Sequence, residues 1–333
     1  MRLLHVTHPS GFRHDTGPLH PERPARLRAA HIGIAQSGVD TEEVEAVPVD
    51  PTDLSIVHDA AYVEAIRRFC EQGGGHLDAD TIASVGSWEA ARAAVGAGLT
   101  AVARLKEGFG GPAIITARPP GHHALVNQAM GFCLFNNVAI AAESLRRQGE
   151  RVCVIDWDVH HGNGTQSTFY SEPDVMYISL HQFPFYPFEG GVTEVGDGEG
   201  KGSTINIPLP AFTAGDVYLE AFDRIALAAL RRFDPDWVLV SSGFDAHASD
   251  PLAELRLTEY DYAAMTTAVV GVVPADRVVV FLEGGYHLPA IRDSLAVVAR
   301  ALVGLDVEEA PSEHRSPEES RRALERARLM LSP

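Results

Sequence analysis

The sequence predicts an α/β protein: a single domain with a central, mostly parallel sheet, helices on both faces and an active site at the carboxyl ends of the strands. Three observations carry this. Short β-branched apolar runs alternate with longer Ala/Leu/Arg-rich stretches of helical period. The runs VCVI, WVLV and VVVFL are apolar throughout, as strands covered on both faces must be. Polar clusters follow directly on the runs, where an open parallel sheet binds its ligands.

Strands are expected at Ala113–Thr116, Val152–Ile155, Val175–Ser179, Trp237–Ser241 and Arg277–Leu282. Helices are expected at Ser87–Lys106, Asn137–Gln148, Ala214–Arg232, Thr258–Val273 and Leu288–Leu302. Near the end, Ser316 suits a helix cap, Pro317 the first helical position and Glu319 the third position of a capping box. Glu308 to Arg315 reads as a linker. The expected organisation is therefore a main domain over residues 1–305 and a helical extension over 306–333.

A chain of 333 residues is within reach of one large α/β domain, and 45% apolar with 22% charged residues is ordinary for a globular protein. The formal net charge of −18 argues against a nucleic-acid partner, whose phosphates need a basic surface, and leaves room for a cationic substrate. Cys70, Cys133 and Cys153 form no CxxC pair, which fits a reducing compartment. MRLLHVTH lacks the charge-then-apolar pattern of a signal peptide, and Ala263–Ala275 is broken by Pro274 and too short to span a bilayer. A cytoplasmic location without a membrane partner is expected. The sequence leaves the oligomeric state open.

The strand ends carry the chemistry. AIIT is followed by ARPPGHHA, RVCVI by DWDVHHGNG, VMYI by SLHQF, WVLV by SSGFDAH and RVVVF by LEGGY. In extended chain, alternate residues share a face, so Asp156, Asp158 and His160 point one way. Asp158 and His160 suit one metal ion, and Asp245 is the natural third ligand. Such a set leaves a coordination position open, as a catalytic Zn²⁺ requires, and its oxygen content also admits Fe²⁺. A lone D-x-H is often only a satisfied polar network; neighbouring clusters on five strand ends favour a site. His122 and His123 supply two imidazoles for acid and base work. Asp156 is placed to fix one of them through a ring N–H, and Asn163 to hold the other more neutrally. Tyr286, after Gly284 and Gly285, is suited to donate to a developing oxyanion.

These stretches, with HDTGPLHPERPARL, GFCLFNNVAIAA, ISLHQFPFYP and SSGFDAHASDPLAELRLT, resemble the zinc-dependent histone deacetylase family, in its class II and bacterial amidohydrolase branch. The resemblance covers all but the tail after about Leu305. It implies the arginase/deacetylase-like fold. It implies Asp158, His160 and Asp245 as Zn²⁺ ligands and His122 and His123 as the tandem catalytic pair, His123 being the principal general base and acid. Asp156 would pair with His122 and Asn163 with His123. Tyr286 would polarise the acetyl carbonyl. Gly131, Phe132 and Tyr186 would line the acyl-lysine tunnel. A structural K⁺ would sit at Asp156, Asp158, His160, Ser179 and Leu180, and a second near Phe169 and Val175.

The implied reaction is hydrolysis of an N-acetyl amide, with acetyl-lysine peptides or proteins as substrate class. Asn163 stands where class I members have Asp. Leu252 stands where polyamine-selective members carry a Glu, which argues against acetylpolyamines, the alternative small acylated amines. After Tyr186-Pro187 the chain reads FEGG where relatives usually read GTG. A two-Mn²⁺ ureohydrolase would need further oxygen ligands, and Gly162 and His247 occupy those positions. A non-catalytic acyl-lysine binding module would not need every catalytic position filled.

Overall fold

The computed structural model describes residues 1–307 and 312–331; residues 308–311 of the expected linker lie outside the described residues. The strands are β1 (Leu3–Thr7), β2 (Thr41–Glu45), β3 (Gly75–His76), β4 (Ile82–Ala83), β5 (Ala113–Thr116), β6 (Val152–Asp156), β7 (Val175–Gln182), β8 (Thr204–Leu209), β9 (Trp237–Ser242) and β10 (Val278–Leu282). β3 and β4 form a small antiparallel pair. The rest form one 8-stranded sheet in the order β2-β1-β5-β10-β9-β6-β7-β8, every pair parallel.

Alternation along each strand divides the core between the two faces. Cys153 and Ile155 of β6, with Val278, Val280 and Leu282 of β10, pack with the helices Pro24–Gln36, Glu259–Val270 and Leu288–Leu302. Val152 and Val154, with Val279 and Phe281, face the opposite layer, where Ser87–Lys106 and Asn137–Arg146 lie. Each such residue is 3% exposed or less, which is why these strands read as unbroken apolar runs.

The five strands expected from the sequence are the five central neighbours, β5, β10, β9, β6 and β7. β1, β2 and β8 were not among them. TEEVE in β2 is an edge strand with no fully buried residue, so it carries no apolar signal. β7 runs on to Gln182, and Arg277 belongs to the short 3₁₀ turn Ala275–Arg277 rather than to β10. The expected helix at 214–232 is continuous in space but contains a π-helical segment, Phe222–Leu227, between Gly215–Ala221 and Ala228–Phe233.

The C-terminal helix Glu318–Leu331 packs on β8 and covers that edge of the sheet. Leu324 and Ala327 belong to the main core. Ser316 does not close the expected capping box: its hydroxyl donates to Asp216 and accepts from Ala214 N–H, tying the extension to the start of helix Gly215–Ala221. Among the described residues, no helix is long and apolar enough to cross a membrane.

Candidate active site

The loops that follow β5, β6, β9 and β10 meet above the middle of the sheet. β6 ends at Asp156, beside Ser241 of β9 and Ser179 of β7. Beyond it, Asp158 and His160 turn towards the loop after β9, and Asp245 meets them there. One ligand atom from each of the three lies within 4.8 Å of the others. Nδ1 of His160 is 3.1 Å from Asp158 Oδ1 and 3.2 Å from Asp245 Oδ2. Backbone amides orient the carboxylates: Gly284 N–H donates to Asp158 Oδ2 at 2.7 Å, and Val159 N–H to Asp245 Oδ1 at 2.9 Å.

Two observations show that these residues suit a cation. Asp245 Oδ2 is buried with no well-aligned hydrogen bond, only the His160 imidazole at 3.2 Å, which it shares with Asp158, and such a carboxylate is costly unless further positive charge meets it. A Cβ at Gly284 would collide with the carboxylates of Asp158 and Asp245, so only glycine leaves this space open. Burial pulls the His160 imidazole down, but the two carboxylates more than offset it and hold it raised to about 10. The pair of acids thus demands positive charge between them, and a divalent ion meets that demand with three N/O ligands.

His122 and His123 lie side by side, ring centroids 4.0 Å apart, yet face different partners. His122 Nδ1 is 3.0 Å from Asp156 Oδ2, and His123 Nδ1 is 2.9 Å from Asn163 Oδ1. Asn163 Nδ2 donates to Met130 Sδ, which orients the amide oxygen towards His123. The difference in partner separates the two rings electrostatically. Burial lowers both, but Asp156 and Asp158 lift His122 to about 10, whereas His122 and His160 drive His123 further down. His123 is therefore the neutral base of the pair, with Nε2 left free once Nδ1–H donates to Asn163. Gly162 permits this packing, because a Cβ there would strike Asp156 and His122.

A cavity of about 730 Å³ leads from the surface to these groups. His123, Gly131, Phe132, His160, Tyr186, Leu252 and Tyr286 line it, which places every residue expected to contact substrate on its wall. Phe132 meets Tyr286 edge to face at 5.8 Å, and Tyr186 meets His123 at 5.3 Å. Phe185, to which the sequence reading gave no role, stacks on His160 at 5.3 Å. Burial, then the charge of Asp245, raises the Tyr286 phenol, so it stays a donor at neutral pH.

Ser179 and Leu180 lie beside Asp156 on β7, where Ser179 Oγ meets His181 Nδ1 at 2.9 Å and Leu180 O accepts from Tyr218 Oη at 3.0 Å. Phe169 and Val175 are buried in the layer that Val152 and Val154 face. His247, considered above as a substitute for a second-metal ligand, faces Glu259 at 3.4 Å.

Several supporting residues escaped the sequence reading. Tyr177 Oη donates to Asp156 and accepts from Gly162 N–H. Glu283 Oε2 accepts from Gly121 N–H at 2.7 Å, holding the turn before the histidines, and burial first of all raises its carboxyl to about 7. Arg26 donates to Glu22 at 2.9 Å and to the carbonyls of Glu283 and Gly285, and Arg118 binds the same Glu22. Glu283 stands in LEGGY, the strand-end cluster quoted for Tyr286, and its position there was the available signal. Arg26 and Glu22 stand in HDTGPLHPERPARL, quoted above for the resemblance, but nothing in that stretch pointed to the turn before Tyr286.

The histone deacetylase domain profile matches residues 20–302. The chain is 44% identical over 303 residues to an uncharacterized protein of Synechocystis sp., covering 88% of this chain and 96% of that one. It is 42% identical over 277 residues to a histone deacetylase-like amidohydrolase of Pseudomonas aeruginosa, covering 80% of this chain and 72% of that one. The crystal structure of the HDA15 HD domain superposes with a TM-score of 0.92 at 33% identity, covering 99% of this chain and 94% of that one.

Proposed function

The chain belongs to the histone deacetylase family, and on that premise we propose that it hydrolyses N-acetyl amides, with acetyl-lysine side chains of peptides or proteins as substrate and zinc as its metal. The observation that carries this reading is the convergence of Asp158, His160 and Asp245 beside the His122–His123 pair in one cavity.

Asp158, His160 and Asp245 would hold the ion, which supplies Lewis-acid polarisation of the carbonyl and a lowered pKa for water. His123 receives the proton of the attacking water at Nε2 and returns it to the departing amine. Asn163 keeps the proton at Nδ1 during that exchange. His122, paired with Asp156, holds positive charge beside the reacting centre. Tyr286 donates its phenolic O–H to the carbonyl oxygen as negative charge develops there. Phe132 and Tyr186 offer apolar walls to the methylene stem of a lysine side chain. Acetate and a free amine are the products. Fe²⁺ is the alternative metal, on the strength of two carboxylate ligands. A structural K⁺ at Asp156, Asp158, His160, Ser179 and Leu180, partly through backbone carbonyls, and a second near Phe169 and Val175, belong to the same proposal. So does the division into a catalytic unit, 1–305, and an appended helix, 306–333.

Leu252 favours acetyl-lysine over acetylpolyamines, because no carboxylate stands at its position to receive a substrate ammonium. The test is turnover of purified protein on acetyl-lysine fluorogenic peptides and on acetylspermidine, with metal content measured alongside. Hydrolysis of the peptides at one zinc per chain is expected. A zinc-loaded protein that turns over no acyl amide would instead be an acyl-lysine binding module.

A further inference from the structure

The turn that carries Tyr286 is intrinsically loose. It begins with Gly284 and Gly285, the second at φ +111°, and glycine imposes little conformational preference of its own. Arg26 grips one side of this turn, donating to the carbonyls of Glu283 and Gly285. A single carboxylate grips the other. Asp250 Oδ2 accepts from Tyr286 N–H at 2.6 Å and from His287 N–H at 3.1 Å, while its Oδ1 accepts from Leu252 N–H at 3.1 Å.

Asp250 is only 7% exposed, so water competes little for these three bonds. Its two oxygens join the loop after β9 to the loop after β10. On one side stands Leu252, on the other Tyr286, and both line the substrate cavity. Asp250 itself is absent from the cavity wall. Its hydrogen bonds to the elements of that wall are made through the backbone amides it holds.

We propose that Asp250 is a positioning residue for the reaction: by bonding the amides of Tyr286, His287 and Leu252 together, it sets the phenol and the opposing tunnel wall at a fixed separation. This rests on the reading of Tyr286 as the group that polarises the acyl carbonyl. Sub-ångström placement of such a donor governs its share of catalysis, so a loosened turn lowers kcat more than it raises KM.

The test is a double-mutant cycle. Asp250→Ala is made alone and in a Tyr286→Phe background, and kcat, KM and metal content are measured for each. Asp250→Ala alone is expected to lower kcat by about ten-fold or more with KM changed less and metal content unchanged. In the Tyr286→Phe background the same change is expected to cost less than about two-fold, since the group it places is gone. Asp250→Asn, which keeps one acceptor oxygen, is expected to fall between. Equal losses in both backgrounds would overturn the proposal, as would a loss confined to KM. Should Asp250→Ala fail to fold, Asp250→Asn decides by the same readouts.

Amide hydrogen exchange separates this claim from the functional reading. Exchange at Tyr286 and His287 is expected to rise by about ten-fold or more in the Asp250 variants, whether or not any substrate turns over. A wild-type protein that hydrolyses no acyl amide would overturn the reading of Tyr286, while unchanged exchange at these two amides would overturn the role of Asp250.

Discussion

His123 Nδ1 lies 2.9 Å from the side-chain oxygen of Asn163, a neutral acceptor, while its neighbour His122 faces a carboxylate. An uncharged partner leaves His123 the weaker base of the two and the one free of a proton at Nε2 in the resting state. Replacing His123 by Ala is expected to lower kcat by roughly 10²–10⁴-fold, the usual share of one general base, with metal content unchanged. Single-turnover hydrolysis of an acetyl-lysine peptide, read beside metal analysis, checks this. Retention of most activity would move the proton-transfer role to His122.

Removal of the metal should be felt in stability as well as in rate. Asp158 and Asp245 crowd one imidazole, and Asp245 Oδ2 has no other polar partner there. A cation bound only by the folded state adds stability by mass action, about 2.7 kcal/mol when present at 100 times its Kd. Chelation is therefore expected to lower Tm and abolish amidase activity together, and added zinc to restore both. Asp245→Asn should lose the metal-dependent part of Tm. Calorimetry with and without chelator reads this, and a Tm indifferent to chelation would count against a metal at this site.

Leu252 gives a direct test of substrate choice. It lines the cavity without charge. Leu252→Glu would place a carboxylate where a polyamine's ammonium passes, and an opposite charge near 4 Å at a partly solvated site is worth on the order of 1–4 kcal/mol. The ratio of kcat/KM for acetylspermidine over acetyl-lysine peptide is expected to rise by about ten-fold or more. Competition kinetics with both substrates measures it, and an unmoved ratio would remove Leu252 as a determinant.

A pH dependence of folding follows from His58, which does not line the cavity. Its Nδ1 donates to Leu125 O at 2.9 Å and its Nε2 accepts from Asn136 N–H at 2.9 Å, a pattern that only the neutral ring completes. Burial pulls its pKa from 6.5 down to about 4. Between those values the unfolded chain binds the proton that the folded chain refuses, so stability falls as pH drops from about 6.5 towards 4, by about 3 kcal/mol at most. Denaturant titrations at pH 7 and pH 4.5 should show this loss, and it should shrink in His58→Gln. An equal loss in the variant would assign it to other groups.

Leu324 tests how far the C-terminal helix belongs to the main core. It is 3% exposed and packs with the face of the sheet that Ile205 and Ile207 line. Leu324→Ala is expected to cost about 2–5 kcal/mol, as for a buried leucine elsewhere, and to leave kcat/KM unchanged. Urea unfolding reads the first and peptide kinetics the second. A cost below about 1 kcal/mol would mean the helix docks only loosely.

Much of this protein was written in local sequence. The five central strands announced themselves because both of their faces are buried, and burial on both faces leaves only apolar residues acceptable. Asp156, Asp158, His160 and Asp245 were legible because each follows directly on such a strand. Edge strands β2 and β8 were not, since β2 is half exposed and the covering of β8 is a helix more than a hundred residues later. The capping residue Ser316 was read from local spacing, but its hydroxyl is used on Asp216, 100 positions away.

What the chain determined alone was therefore the inventory of chemistry and the strand ends that would carry it, because periodicity and strand burial act over a few residues. What only the folded molecule decided was how distant groups meet: that Arg26 and Asp250 grip the Tyr286 turn from opposite sides, and that Asp158 and Asp245 share the one imidazole of His160. Such relations join residues up to 259 positions apart, as Arg26 and Gly285 are, and hydrogen-bond geometry over that separation is fixed by how the whole sheet and its helices pack.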